Sequence, residues 1–233
     1  MVMKTPLVLV PGLLCDAELW GAQVEGLTQI AEPMVADMTQ DESMAAMACT
    51  VLNAAPQRFA LAGLSMGGYV AQEIMRQAAS RVLRLALLDT GARADTAEQS
   101  ARRRGLIELA QKGDFKGVTP RLLPLLLHPD RLADEQMTAA VTAMAERVGK
   151  DAFLRQQRAI MGRVDGRQSL AAIACPTLVL CGRQDALTPV ALHQEMAAQI
   201  PGARLEIIED CGHLSAMERP REVTAALQRW LTA

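Results

Sequence analysis

Short apolar runs that alternate with longer helical patterns constrain the fold of this chain most. Helical patterns cover about Glu18–Ile30, Ser43–Ala54, Gly67–Ser80, Pro189–Ile200 and Pro220–Leu231. The runs are apolar throughout, as is typical of strands covered on both faces: Leu7–Val10, Pro33–Ala36, Phe59–Ala62, Leu83–Leu88, Thr177–Cys181 and Leu205–Ile208. Strands and helices in alternation predict an α/β fold with a doubly wound, mostly parallel sheet of about six strands.

One connection breaks this alternation. Between Asp89 and Pro176 no convincing strand pattern occurs, and four helical patterns follow one another: Thr96–Gln111, Thr119–Leu127, Ala133–Val148 and Ala152–Met161. An insertion this long does not fit inside the layers of the sheet, and open α/β sheets bind ligands at the carboxyl ends of their strands. We therefore predict a core of residues 1–91 and 173–233, with residues 92–172 as a helical cap, or lid, inserted after the fourth strand.

Composition excludes several classes of protein. Apolar residues make up 50% of the 233 residues, which is enough for a large core, while the net charge of −2 argues against nucleic-acid binding. No apolar run approaches the roughly 18 residues of a membrane span. The five cysteines show no C-x-x-C spacing, which predicts neither a disulfide framework nor a metal site. We expect a cytoplasmic protein.

The strongest chemical signal is the segment Gly63-Leu64-Ser65-Met66-Gly67. It follows an apolar run and precedes a helical pattern, which is the context that a nucleophile elbow requires. Such a sharp strand-to-helix turn needs very small residues two positions before and after the serine, so that the chain can pass itself. The turn also points the free N–H groups of the helix toward the reacting centre. Ser65 is therefore the candidate nucleophile.

A nucleophilic serine needs a base, and the chain has three histidines. His213 comes directly after the last apolar run, at a carboxyl end of a strand and on the same side as the elbow. His193 falls inside a helical pattern, where a solvent-facing or packing role is expected. His128 lies in the insertion, as expected for the end of a cap helix. We predict that His213 is the base.

The third catalytic group should be a carboxylate that orients the histidine. Asp185 follows the fifth apolar run, again at a carboxyl end, and gives the chain order Ser65, Asp185, His213. Asp89, at the end of the fourth run, and Asp210, near the histidine, are alternatives. Asp210 is close to His213 in sequence and reaches around it with difficulty, so Asp185 is preferred and Asp89 stays open.

The oxyanion of a tetrahedral intermediate needs two N–H donors. The residue after the nucleophile, Met66, supplies one from its backbone. The loop after the first apolar run, Val10-Pro11-Gly12-Leu13-Leu14, is the expected source of the other, and Leu13 N–H is the candidate because Gly12 permits a close approach.

These segments together resemble the α/β-hydrolase superfamily over essentially the whole chain, and in particular small cap-bearing carboxylesterases and 3-oxoadipate enol-lactonases. The similar segments are the elbow at 63–71, the acid loop at 181–189, the histidine loop at 212–220 and the oxyanion loop at 11–20. Pro11 stands where many members have a histidine. The resemblance also implies that the two N-terminal edge strands of the family are absent.

The resemblance implies a serine hydrolase that cleaves esters of small to medium apolar acyl groups through Ser65, His213 and Asp185, without a metal or cofactor. Lactonase, thioesterase or C–C hydrolase activity would use the same groups, and a non-catalytic receptor on this scaffold is the alternative from another class. The expected partner is a small ester, with no nucleic acid or membrane, and the chain is expected as a monomer or homodimer. Residues expected to line the substrate pocket are Leu14, Leu123, Leu126, Met161, Leu187 and Leu214.

Overall fold

A computed structural model describes residues 4–233, apart from the side chain of residue 114, and contains one six-stranded sheet. Its strands lie in the order β2-β1-β3-β4-β5-β6, and every neighbouring pair is parallel. The strands are β1 (Thr5–Val10), β2 (Ala31–Val35), β3 (Phe59–Leu64), β4 (Val82–Leu88), β5 (Thr177–Gly182) and β6 (Arg204–Ile208). The predicted α/β fold with a six-stranded sheet is confirmed.

Burial explains which apolar runs the sequence revealed most clearly. The central strands β3 and β5 are buried along their whole length, because helices cover both faces of the sheet. The edge strands β2 and β6 are mostly half-buried, so the expectation that all six runs are covered on both faces is wrong for these two. An edge strand has a neighbour on one side only, which leaves part of its surface to solvent.

Two apolar layers pack on the sheet, one on each face. The first layer includes helices α1 (Gly21–Leu27) and α10 (Pro220–Thr232), and the second includes α2 (Met44–Ala54), α3 (Met66–Ala78) and α8 (Val190–Gln199). The short helix α9 (Ser215–Glu218) precedes α10. The predicted helix over residues 18–30 is shorter than expected, since a 3-10 turn at Ala17–Trp20 precedes α1.

The connection between β4 and β5 is helical, as predicted. It holds α4 (Ala97–Leu109), α5 (Leu123–Leu126), α6 (Glu135–Met161) and α7 (Arg167–Leu170). The pattern at 119–127 contains Pro120 and Pro124, which predict a short or kinked helix, and only the four-residue α5 forms there, with a proline in its first turn. α6 spans the two helices predicted at 133–148 and 152–161, and they meet at Gly149, whose φ of 77° interrupts the helical backbone.

Within residues 4–233, the longest helices are too short or too polar to cross a membrane.

Candidate active site

The candidate site lies where the order of the sheet reverses. The chain runs from β1 outward to β2 and then returns to the other side of β1 as β3, so the loops after β1 and β3 diverge at the carboxyl edge. Such a switch point leaves a crevice in which open α/β sheets bind ligands. Ser65 follows β3 at this edge, and Gly12 and Leu13 follow β1.

Ser65 occupies a strained turn that the two flanking glycines make possible. Its φ of 56° and ψ of −115° lie outside the regions that L-residues prefer, and it directly precedes α3. A Cβ atom on Gly63 would lie 2.2 Å from the Gly67 carbonyl oxygen, and one on Gly67 would lie 2.1 Å from the Val10 carbonyl oxygen. The glycines two positions before and after Ser65 are thus required by contacts with backbone, which cannot move aside.

Three side chains that lie far apart in sequence form a continuous hydrogen-bonded chain. His213 Nε2 lies 2.8 Å from Ser65 Oγ, and His213 Nδ1 lies 2.8 Å and 3.0 Å from the two oxygens of Asp185. His213 and Asp185 are buried, whereas Ser65 is partly exposed. The structure therefore brings the predicted nucleophile, base and acid together, with only the nucleophile open to solvent.

The Asp185 carboxylate is held by its own loop. The backbone N–H groups of Leu187 and Thr188 donate to Oδ1 at 2.9 Å and 2.8 Å, and the Thr188 hydroxyl donates to Oδ2 at 2.6 Å. Burial disfavours the charged carboxylate, but contact with His213 and these donors outweigh it and hold the pKa of Asp185 below its usual range.

The charge on Asp185 acts in turn on His213. Burial disfavours the imidazolium, but the Asp185 carboxylate outweighs burial and raises the pKa of His213 above its ordinary value of 6.5. A carboxylate at Nδ1 also fixes the neutral tautomer, because the Nδ1 proton is needed for that contact and Nε2 is left to accept from Ser65.

Asp89, the alternative acid, has other partners. Its Oδ1 accepts from the Gly182 N–H at 3.0 Å, and its Oδ2 accepts from the hydroxyl and N–H of Ser215. The residue is fully buried, and burial together with the neighbouring Asp185 charge raises the pKa of Asp89 well above its ordinary value. Asp89 thus ties the loops after β5 and β6 together. Asp210 is exposed and faces Arg219 at 3.6 Å.

The other two histidines have packing roles. His193 is fully buried, its Nε2 accepts from the Thr90 N–H at 2.9 Å, and burial lowers its pKa to about 4. His128 caps the short turn Pro129–Arg131 in the insertion, with its Nδ1 accepting from the Asp130 N–H. Both positions agree with the interpretation from sequence.

The loop after β1 approaches Ser65 closely. A Cβ on Gly12 would lie 3.4 Å from the Ser65 Cβ, and the Cys15 N–H donates to the Gly12 carbonyl to close a tight turn. Within the described residues, the N–H groups of Leu13 and Met66 have no protein acceptor, which leaves them available to a ligand beside Ser65. Leu14 N–H, in contrast, is bound to Gln156 Oε1 at 3.1 Å.

The predicted pocket residues fall into two groups. Leu14 and Leu214 are buried in the apolar layer beneath the insertion, and Leu123 and Leu126 pack against the same layer. The Leu126 carbonyl also accepts from the N–H groups of His213 and Leu214, so this part of the insertion borders the histidine loop. Met161 ends α6 outside this layer, and Leu187 is 40% exposed.

Sequence reasoning missed three residues that hold the site together. Thr188 has a recognisable signal, since it lies three positions after Asp185, the spacing of a side-chain turn. Glu218 is buried and accepts from the N–H groups of His128 and Gly212, at 2.7 Å and 3.0 Å. Gln156 is buried on α6. No local pattern reveals the contact of Glu218 with His128 or that of Gln156 with Leu14, because these partners are 90 and 142 residues away.

Among the described residues, no group of three or more His, Cys, Asp or Glu side chains is placed to hold a metal ion.

Cys211, next to the histidine loop, is fully buried, and burial raises the pKa of its thiol. A buried thiol with a raised pKa is a poor nucleophile, so Cys211 has a packing role.

A parallel sheet with a strained serine turn at its switch point defines a hydrolase of the α/β type. The model described as "Alpha/beta hydrolase family" matches residues 7–227, and the chain belongs to this family. The chain is therefore a hydrolytic enzyme of this class.

Three similar proteins illustrate the range of the family. A thermophilic esterase from Thermogutta terrifontis is 30% identical, with a TM-score of 0.88 over 99% of this chain and 90% of that one. The enol-lactonase of Burkholderia xenovorans LB400 is 24% identical and shares the fold, with a TM-score of 0.90 over 99% and 92%. The pimeloyl-[acyl-carrier protein] methyl ester esterase of Aliivibrio salmonicida is 25% identical over 97% of this chain and 91% of its own length.

Proposed function

We propose that this enzyme is a serine hydrolase of carboxylic esters with small to medium, mostly apolar acyl groups. The observation that carries the proposal is the contact chain Ser65–His213–Asp185, with 2.8 Å at each step, together with two N–H groups, those of Leu13 and Met66, that have no acceptor in the part of the chain that the structure describes. The esterases among its relatives support the same reaction class.

The proposed mechanism has two half-reactions, acylation of Ser65 and hydrolysis of the acyl-enzyme. Neutral His213 Nε2 takes the Ser65 hydroxyl proton while Oγ attacks the ester carbonyl, and Asp185 stabilises the imidazolium that forms. The N–H groups of Leu13 and Met66 hold the oxyanion. Collapse breaks the bond to the alcohol, which leaves with the proton from Nε2. A water molecule then attacks the acyl-enzyme by the same route and releases the acid.

The surroundings of the site favour a neutral acyl group. Leu14, in the loop after β1, and Leu126 and Leu214, at the histidine loop, belong to or pack against one apolar layer. Two arginines of the insertion, Arg103 and Arg163, both contact Asp95, at 2.7 Å and 2.6 Å. Asp95 holds both guanidinium groups in place and offsets one of their two positive charges, which makes them poorly suited to bind a substrate carboxylate. Arg102 and Arg104 are exposed on α4.

The experiment that tests this proposal compares the kcat/KM of the enzyme for several classes of acyl donor. A panel of p-nitrophenyl esters of graded acyl length, run beside lactones and thioesters, should show the highest kcat/KM for an ester. A fluorophosphonate probe should label Ser65 stoichiometrically in the same preparation. Preferred hydrolysis of a lactone or thioester would replace the proposed substrate class. Absence of both turnover and labelling would favour a non-catalytic receptor.

The pH dependence of acylation follows from the state of His213. The base must be neutral, so kcat/KM should rise with pH through one ionisation. Since Asp185 raises the pKa of His213, the inflection should lie above the ordinary histidine value, in the upper part of the range of about 6–7.5 or beyond it. A pH profile of kcat/KM with a fast-deacylating ester measures it. A rate that is flat across this range, with acylation limiting, would contradict the assignment of the base.

The insertion should set acyl-length preference. Leu126 borders the histidine loop from the cap side, and Leu123 lies on the same short helix. Their replacement by Ala should extend the pocket and shift the optimum of the ester panel toward longer acyl groups. The rate of fluorophosphonate labelling should stay within about threefold, because the reacting groups lie outside the insertion. Leu109→Ala is the matched control, as Leu109 lies on the same insertion but is 54% exposed. If the variants keep the wild-type acyl-length profile while their rate of fluorophosphonate labelling falls sharply, residues 92–172 belong to the catalytic core instead.

A further inference from the structure

The second half of α6 is fastened to the loops that follow β1 and β2. Arg155 Nε donates to the Thr39 carbonyl at 2.7 Å, and Arg158 faces Glu42 at 3.1 Å. Before the Gly149 interruption, Arg147 Nε contacts Asp16 at 2.7 Å. Contacts of three arginines thus join α6 to these two loops.

Gln156 is the buried centre of this attachment. Its side chain is fully buried, its Oε1 accepts from the Leu14 N–H at 3.1 Å, and its Nε2 donates to the Met38 carbonyl at 3.0 Å. We propose that Gln156 is a positioning residue that holds the oxyanion loop in its productive conformation, and this inference rests on the proposed function. It acts through the loop and contacts no reacting atom.

The backbone of the loop explains why a fixed partner is needed. Leu14 has a φ of 59°, a left-handed conformation that non-glycine residues adopt only when their surroundings enforce it. The amide of Gln156 binds the N–H of that strained residue. Pro11, in the same loop, has no side-chain donor or acceptor with which to do so.

The same hydrogen bond determines which N–H remains for the oxyanion. Leu14 N–H is occupied by Gln156, and Leu13 N–H, one peptide earlier, has no protein acceptor within residues 4–233. If the loop relaxed, the Leu13 N–H would turn away from its place beside Ser65. A misplacement of about 1 Å in a reacting group can cost about 10²-fold in rate. An oxyanion donor is sensitive in the same way, because it acts on charge that develops only in the transition state.

The test compares two adjacent glutamines on α6. Gln156→Met keeps the size of the side chain and removes both hydrogen bonds. Gln157→Met is the matched control, because Gln157 is 1% exposed and its Oε1 accepts from Arg103 at 2.8 Å, away from the oxyanion loop. We expect kcat of Gln156→Met to fall about 10- to 100-fold with KM little changed, and kcat of Gln157→Met to stay near wild type. A difference of less than about fivefold between the two variants overturns the proposal.

A second measurement separates positioning from general loosening. An alkyl boronic acid forms a tetrahedral adduct with a nucleophilic serine and places an oxygen in the oxyanion hole, whereas the free carboxylic acid product does not. Gln156→Met should weaken the binding of the boronic acid by about the factor by which kcat/KM falls, and it should leave inhibition by the carboxylic acid product unchanged. Equal weakening of both ligands would mean that Gln156 has only a structural role.

Two further results keep the test decisive. If Gln156→Met does not fold, Gln156→Glu carries the comparison against Gln157→Glu, because glutamate keeps an acceptor for Leu14 N–H but sets an oxygen against the Met38 carbonyl in place of the Nε2 donor. Its kcat should fall at least about fivefold below that control, and a smaller difference overturns the proposal. Wild-type enzyme that neither hydrolyses esters nor labels at Ser65 would refute the proposed function itself. If the wild-type enzyme is active and Gln156→Met is equally active, only the proposed role of Gln156 is refuted.

Discussion

Ser65→Ala should abolish ester hydrolysis and leave the fold intact. Ser65 Oγ is 2.8 Å from His213 Nε2, and no other hydroxyl of residues 4–233 contacts that nitrogen. Turnover should fall by at least about 10³-fold, because the nucleophile and its base act as a unit and removal of either removes most of their joint contribution. The measurement is kcat on the best ester of the panel, with active-site titration by the fluorophosphonate.

Two controls make a loss of turnover interpretable. Ser80→Ala changes an exposed serine after α3 and should keep full activity and labelling. Thermal unfolding of Ser65→Ala should match wild type, since alanine tolerates the φ of 56° no better and no worse than serine. An alanine variant that retained most of its activity would eliminate the serine mechanism.

The sequence predicted those parts of the site that local backbone constraints encode. The glycines around Ser65 are visible in sequence because a Cβ at either position would strike backbone about 2 Å away. Asp185 and His213 could be found because each follows an apolar run, and the carboxyl ends of parallel strands meet at one edge of the sheet. The placement of Asp185 and His213 at one edge of the sheet therefore follows from the order of the strands along the chain.

Contacts that depend on the docking of the insertion could not be predicted in this way. Gln156 reaches Leu14 across 142 residues, and Glu218 reaches His128 across 90. Each is an ordinary polar residue in a helix, and only the packed structure shows that it is buried. The short helix of the insertion could be predicted, in contrast, because Pro120 and Pro124 limit a helix in the segment 119–127 to about one turn.

Asp89 and Asp185 both lie at carboxyl ends of strands, but they contact different groups and are therefore expected to have different roles. Asp185 meets the histidine ring directly, whereas Asp89 binds Gly182 and Ser215. A carboxylate that orients the imidazole contributes to every turnover, whereas one that joins two loops contributes to stability. The two residues can therefore be separated by parallel substitution with asparagine, which keeps size and shape.

Asp185→Asn should lower kcat by about 10³- to 10⁴-fold, because the amide favours the wrong tautomer of His213 and no longer stabilises the imidazolium. Its residual activity should also show a lower inflection pH than wild type. The Asp185 charge is what raises the pKa of His213, so removing it lets the base become neutral at lower pH.

Asp89→Asn should be far milder. Asparagine keeps the size of the side chain, its amide oxygen can still accept from Gly182 N–H, and the Ser215 hydroxyl can accept from its amide nitrogen. We expect kcat within about tenfold of wild type and an inflection that moves less than in Asp185→Asn, measured by the same pH profile of kcat/KM. Circular dichroism and thermal unfolding of both variants control for folding. An Asp89→Asn enzyme as impaired as Asp185→Asn, with its fold intact, would show that the buried carboxylate at the end of β4 shares the catalytic role.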